Sequence, residues 1–156
     1  MANELILMLH PSFGVLAILA ALWVFVETLH IDRLNAGRVR VASLGCAVLM
    51  WLSYLVGGYW YVLFYGADKA LINSGPWPFA HSFFMETKEH VFFALLLMAS
   101  YLPVAAFSLS ANRAARAVVL SVAGLIVLLG LAMEGAGAFV SMGAKVALLG
   151  KAAAGM

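Results

Sequence analysis

The sequence predicts an all-α integral membrane protein, a four-helix antiparallel bundle with a partly structured outward-facing connection between helices 2 and 3. Three observations carry that prediction. Of the 156 residues, 65% are apolar and 10% charged, with a mean hydropathy of +1.04, far above a soluble domain. Four long apolar runs stand out: Leu5 to Val26, Val41 to Tyr65, Val91 to Phe107 and Ala117 to Val140. Each reaches the roughly 17 residues that a helix needs to cross the hydrocarbon layer. The arginines, finally, fall in alternate connections.

In order along the chain, the first helix is expected over about 5–29, its run interrupted only by His10, Pro11 and Ser12. The opening "MANELILM" has no positive charge and the run exceeds the apolar core of a secretory signal, so it is read as a retained span. Helices 2, 3 and 4 are expected over about 41–65, 82–107 and 115–141, all within a single domain, 1–156. Lipid offers no hydrogen-bond partner to the backbone, which makes each span helical. Short connections make consecutive helices antiparallel neighbours.

Arg33, Arg38 and Arg40 lie in the first connection, and Arg113 and Arg116 in the third. The positive-inside rule puts these loops in the cytoplasm and both termini outside, in the periplasm of a bacterial inner membrane. The net charge of +2 is accounted for by this topology and gives no nucleic-acid face. The expected partners are the lipid bilayer and other membrane or periplasmic redox subunits. Cys46, the one cysteine, falls inside the second helix and reads as a structural thiol. The outward connection "GADKALINSGPWPFAH" has turn residues around an apolar core and is expected to lie across the membrane surface, with Trp77 as an anchor. It joins an aromatic rim of Tyr59, Trp60, Tyr61, Phe64, Tyr65, Trp77 and Phe79.

The chemistry concentrates in the outer half. Ionisable side chains within a span are rare and usually functional. His10 and His90 lie near the outer face, Glu134 lies in the outer half of helix 4, and Gly14, Gly57, Gly58, Gly130, Gly135 and Gly137 clear space at that level. Facing imidazoles in a bundle with such gaps suit a b-type haem, held non-covalently because C-x-x-C-H is absent. His90 and His10 are the expected axial pair. His81 is the substitute, since on a continuous α-helix it would point away from His90, nine residues on. His30 lies at the other face with no second histidine. A carboxylate and imidazole set of Glu86, His90, His10 and Glu134 is the alternative and would take zinc, iron or manganese, although the Glu-x-x-His pair of di-iron bundles is absent.

Lys88 with Glu86 and Glu89 reads as an interfacial charge cluster. Glu134, with no charged neighbour in sequence, is expected to face the bundle interior near His90, as interhelical glue or as a proton carrier at a quinone site. The layout resembles small four-helix cytochrome b-type membrane subunits in helix number and histidine placement. That resemblance implies electron transfer between quinones and soluble partners. Nucleotide, phosphate-loop and serine-triad motifs are absent, so a standalone enzyme is not expected. The competing expectation is an accessory subunit that holds no cofactor and stabilises a larger complex.

Overall fold

The computed structural model of the chain describes residues 2–32, 34–109, 113–153 and 155. Four helices account for almost all of them: α1 (Ala2–Leu29), α2 (Ala36–Ser74), α3 (Glu86–Phe107) and α4 (Arg113–Ala153), with a π-helix, Ala80–Met85, running directly into α3. All four are long and apolar enough to cross a membrane, and the chain is a multi-pass membrane protein. Neighbouring helices are antiparallel, as the paired residues show: His10 with Ser53 and Glu27 with Arg38 between α1 and α2, Trp51 with Ser100 and Tyr65 with His81 between α2 and α3 or the π-helix. α1 packs on α2 and α4, and α3 packs on the same two, so α1 and α3 occupy opposite corners.

The central core is built from small and branched residues. Ala17, Ala21 and Val24 of α1 meet Val39, Cys46 and Met50 of α2, Leu95, Ala99 and Leu102 of α3, and Val119, Ala123 and Ile126 of α4. Without a hydrophobic driving force between helices in lipid, close backbone approach through small residues holds such a bundle. Cys46 is buried and free, as expected.

Two of the helices run on past the expected spans. α2 continues to Ser74 and α4 to Ala153, well beyond 65 and 141. At 39 residues α2 is about 58 Å long, more than a hydrocarbon layer of about 30 Å requires. The stretch "GADKALINS" is therefore helix, not a segment lying along the membrane, and the connection shrinks to residues 75–79. The reason lies in a second small core. Tyr65, Ile72 and Ala80 are buried there, with Trp60, Trp77, Val140 and Ala144 packed around them. A Cβ on Gly75 would come within 2.6 Å of the Ala147 Cβ, and one on Gly143 within 2.6 Å of the Ala80 Cβ, so glycine permits both approaches. Tyr65, placed in the aromatic rim by the sequence reading, belongs to this interior at 2% exposure.

At the opposite end, arginines finish the helices. The Arg116 guanidinium donates to the carbonyls of Thr28 and Leu29, the last turn of α1. Arg40 donates to the Phe107 carbonyl at 3.4 Å and lies over the Phe107 ring, closing α3. Arg38 grips the Glu27 carboxylate with two bonds, 3.1 and 3.2 Å. The Asn35 amide donates to the Glu27 and His30 carbonyls, both at 3.1 Å. The final carbonyls of a helix lack intrahelical donors and carry the negative end of its dipole, so cations and amides are matched to them. Arg33 lies outside the described residues.

Candidate functional site

Toward the π-helix end the bundle opens around a cavity of about 680 Å³, lined by residues of all four helices and by Met85. It exists because α1 and α3 stand on the long diagonal, leaving α2 and α4 to enclose the space between them. Six aromatic side chains, Tyr54, Trp60, Tyr61, Tyr65, Phe92 and Phe93, form the bulky part of the wall, with aliphatic residues and glycines between them. The polar lining is His10, Asp68, Lys88, Glu89, Glu134 and Ser141. Apolar walls with a few convergent polar groups are the ordinary make-up of a small-molecule site.

His10 is the best-fixed of these groups. Its Nδ1 lies 2.9 Å from the Ser53 carbonyl and 3.1 Å from the Ser53 hydroxyl, which itself donates to the His10 carbonyl at 3.0 Å. A carbonyl oxygen only accepts, so Nδ1 carries the proton and Nε2 is the bare nitrogen of the neutral ring. Gly57 makes the position possible, because a Cβ there would come within 2.5 Å of Nδ1. Phe92 approaches from α3, 6.4 Å between centroids, so the ring spans part of the diagonal gap.

Glu134 enters from α4 over Gly14, where a Cβ would come within 2.6 Å of Oε1. Lys88 reaches in from α3 over Gly137, where a Cβ would come within 2.8 Å of Nζ. Both line the cavity, and each feels the other's charge. Opposite charges thus share one partly open cavity, where each has the other as a counter-charge. The expected surface cluster of Lys88 with Glu86 and Glu89 is replaced by this arrangement, since the lysine side chain turns inward.

A second polar group adjoins the first. The Tyr65 hydroxyl lies 3.1 Å from His81 Nδ1, and His81 Nε2 lies 3.6 Å from Glu86 Oε1. Tyr61 stacks on Tyr65 at 5.0 Å and faces Glu89. His81 is 5% exposed, so it belongs to the interior and not to a surface segment.

The structure separates the expected axial pair. His10 lines the cavity, but His90 is exposed and its Nδ1 is directed at the Glu86 carbonyl, 2.7 Å away in its own helix. His81 has a partner at each ring nitrogen, and His30 is exposed at the arginine end. Gly14 and Gly57 clear room for Glu134 and His10. Gly58 borders the cavity, whereas Gly135 is exposed and faces open space. Glu134 points inward as expected, with Lys88 and Gly14 as its neighbours instead of His90. Among the described residues no three histidine, cysteine, aspartate or glutamate side chains gather as a metal set. Ser53 was missed, and Tyr65 was read only as part of the aromatic rim. Ser53 was legible only as a lone hydroxyl in an apolar run.

The cavity and its charged lining define a membrane protein with a partly open, ligand-sized site between its helices. Comparison with family models, with characterised proteins and with solved structures finds no match.

Proposed function

We propose that this is a membrane-embedded electron-transfer protein or subunit whose cavity takes a flat redox group, with His10 as the residue that would ligate the iron of a b-type haem. One observation carries the reading: the Ser53 carbonyl fixes the proton on His10 Nδ1, which leaves the Nε2 lone pair free in a side chain that lines a cavity of about 680 Å³. Metal-bound histidines characteristically give their other N–H to a backbone carbonyl, which sets tautomer and orientation. In this reading His90 is released from the ligand role by its exposure, so a single imidazole is expected in place of two. The arginine end is cytoplasmic, and the cavity lies in the outer, periplasmic half of a bacterial inner membrane.

A quinone is the second reading for the same cavity. What favours it is Lys88 and Glu134 beside His10: an ammonium to donate to a carbonyl oxygen, and two groups able to take a quinol proton. The two readings are compatible in one redox subunit exchanging electrons with a soluble cytochrome or a larger membrane complex.

Visible spectroscopy of the protein purified with its native lipids tests this. The reduced protein is expected to show haem bands that His10→Ala abolishes and His90→Ala leaves intact. Bands that survive His10→Ala would refute the assignment of the ligand. A colourless protein, free of haem and of extractable quinone, would leave the accessory-subunit role in its place.

A further inference from the structure

The chain of contacts from the cavity through His81 ends at the surface. Tyr65 lines the cavity and is 2% exposed, its hydroxyl 3.1 Å from His81 Nδ1. His81 is 5% exposed, and its Nε2 lies 3.6 Å from a carboxylate whose side chain is 49% exposed. The two ring nitrogens, on opposite edges of the imidazole, therefore meet a cavity-lining phenol at hydrogen-bond distance on one side and, at ion-pair range just beyond it, an exposed Glu86 on the other.

The backbone is shaped for this. Five residues along an α-helix turn through about 500°, which would leave His81 and Glu86 about 140° apart. The π-helix spans Ala80–Met85, and the Glu86 N–H bonds to the His81 carbonyl, an i to i+5 closure. That wider turn brings residue 86 back over residue 81. π turns are rare and occur frequently at functional sites. On the α4 side Val140 and Ala144 pack against this small core, while Glu134 and Ser141 line the same cavity. The other titratable groups facing this string are Asp68 and Tyr61 of α2 and Lys88 and Glu89 of α3, all of which line the cavity.

We propose that Tyr65, His81 and Glu86 form a reversible proton relay between the cavity and the water at the π-helix end. For release, a proton from the cavity moves onto the Tyr65 oxygen as the phenol proton passes to His81 Nδ1 and the Nε2 proton passes to Glu86, then to water. For uptake, the three transfers run backwards. Release leaves the ring protonated on Nδ1, and uptake leaves it protonated on Nε2. Each direction ends in the tautomer from which the other begins, so the ring need not turn over. No electron moves; Tyr65 and His81 each gain one proton and lose one, and the net change is one proton passed between a cavity group and water, for which Asp68, Glu89 and Glu134 of the lining suffice without any redox group.

The test is water exchange of the Tyr65 hydroxyl and His81 ring protons, followed by NMR on the full chain in lipid nanodiscs with labelled tyrosine and histidine. Glu86→Gln and His81→Phe are each expected to slow Tyr65 exchange by about ten-fold or more, a modest part of what a positioned acid–base group contributes. Glu86→Gln keeps shape and hydrogen-bonding capacity, so it decides the matter even where His81→Phe folds poorly. Unchanged exchange in Glu86→Gln would overturn the relay, whether or not His81→Phe slows it, because the string would then not reach water through Glu86. The measurement needs no redox group, so a colourless protein would end the haem reading and leave this result standing on its own.

Discussion

The two ends of the bundle spend their polar residues in opposite ways. At the arginine end, Arg116, Arg40 and Asn35 are directed at carbonyls that helices leave open at their C-termini, and Arg38 at Glu27. At the π-helix end, His10, Lys88, Glu89 and Glu134 look into a cavity. The first set explains itself by satisfying backbone groups that have no other donor. The second set does the reverse: it places ionisable groups where burial is costly and where a fully apolar core would pack more easily. Function is therefore to be sought at the second end, and substitutions should separate the two.

The largest effect is expected at Gly57. A methyl there would come within 2.5 Å of His10 Nδ1, and the ring, held by both atoms of Ser53, has little freedom to retreat. Overpacking of this kind costs about 1–3 kcal/mol. Gly57→Ala should lower the unfolding temperature in detergent and also displace whatever His10 binds. Gly37, at the arginine end, has nothing within 4 Å, and Gly37→Ala should be neutral or slightly stabilising because it sits in a helix. Equal thermal shifts for the two would mean that the cavity wall is as compliant as open surface.

A smaller loss is expected for Arg116→Ala, which removes the donors to Thr28 and Leu29. Water can replace part of this at an exposed site, so about 1 kcal/mol is the scale for the lost bonds. The decisive readout is the contrast: thermal stability should fall while any bound chromophore keeps its spectrum. A changed spectrum would show that the two ends are coupled through the core.

The same comparison explains what could be read from the sequence. The four spans and their antiparallel order follow from apolar runs, since lipid leaves the backbone no alternative to helix. That the arginines gather at one end was also legible, because they lie in alternate connections of an antiparallel bundle. The helical extensions to Ser74 and Ala153 were not: Asp68, Lys69 and Lys145 look like an exit from the membrane, and only the packing of Ile72 with Ala80 and of Ala147 on Gly75 shows that helix continues beyond it. The site was half legible. His10, Glu134, Gly14 and Gly57 were singled out from depth and residue type and do meet, but depth carries no angular information. His90 lies at the expected height and faces away, while Lys88, two residues earlier, faces in. The π turn is invisible to a reading that assumes 100° per residue, so the partnership of His81 with Glu86 could not be inferred.

The smallest and most discriminating change is Glu134→Gln. The carboxyl rests against Gly14 and shares the cavity with Lys88 without a close ion pair, so the near-isosteric amide keeps the shape and gives up only a longer-range attraction to the ammonium. Stability should therefore move by less than about 1 kcal/mol, the scale of a single hydrogen bond. The amide removes the titratable proton but keeps both hydrogen-bonding functions. If Glu134 only joins helices, a redox titration of the variant should reproduce the midpoint and its pH dependence. If it carries the proton that accompanies the electron, that dependence should flatten while the chromophore stays bound. A large loss of stability would point to Lys88 instead: an ammonium left in the cavity without its carboxylate would then be the dominant cost, and Lys88→Met in the same background should restore the fold without restoring the pH dependence.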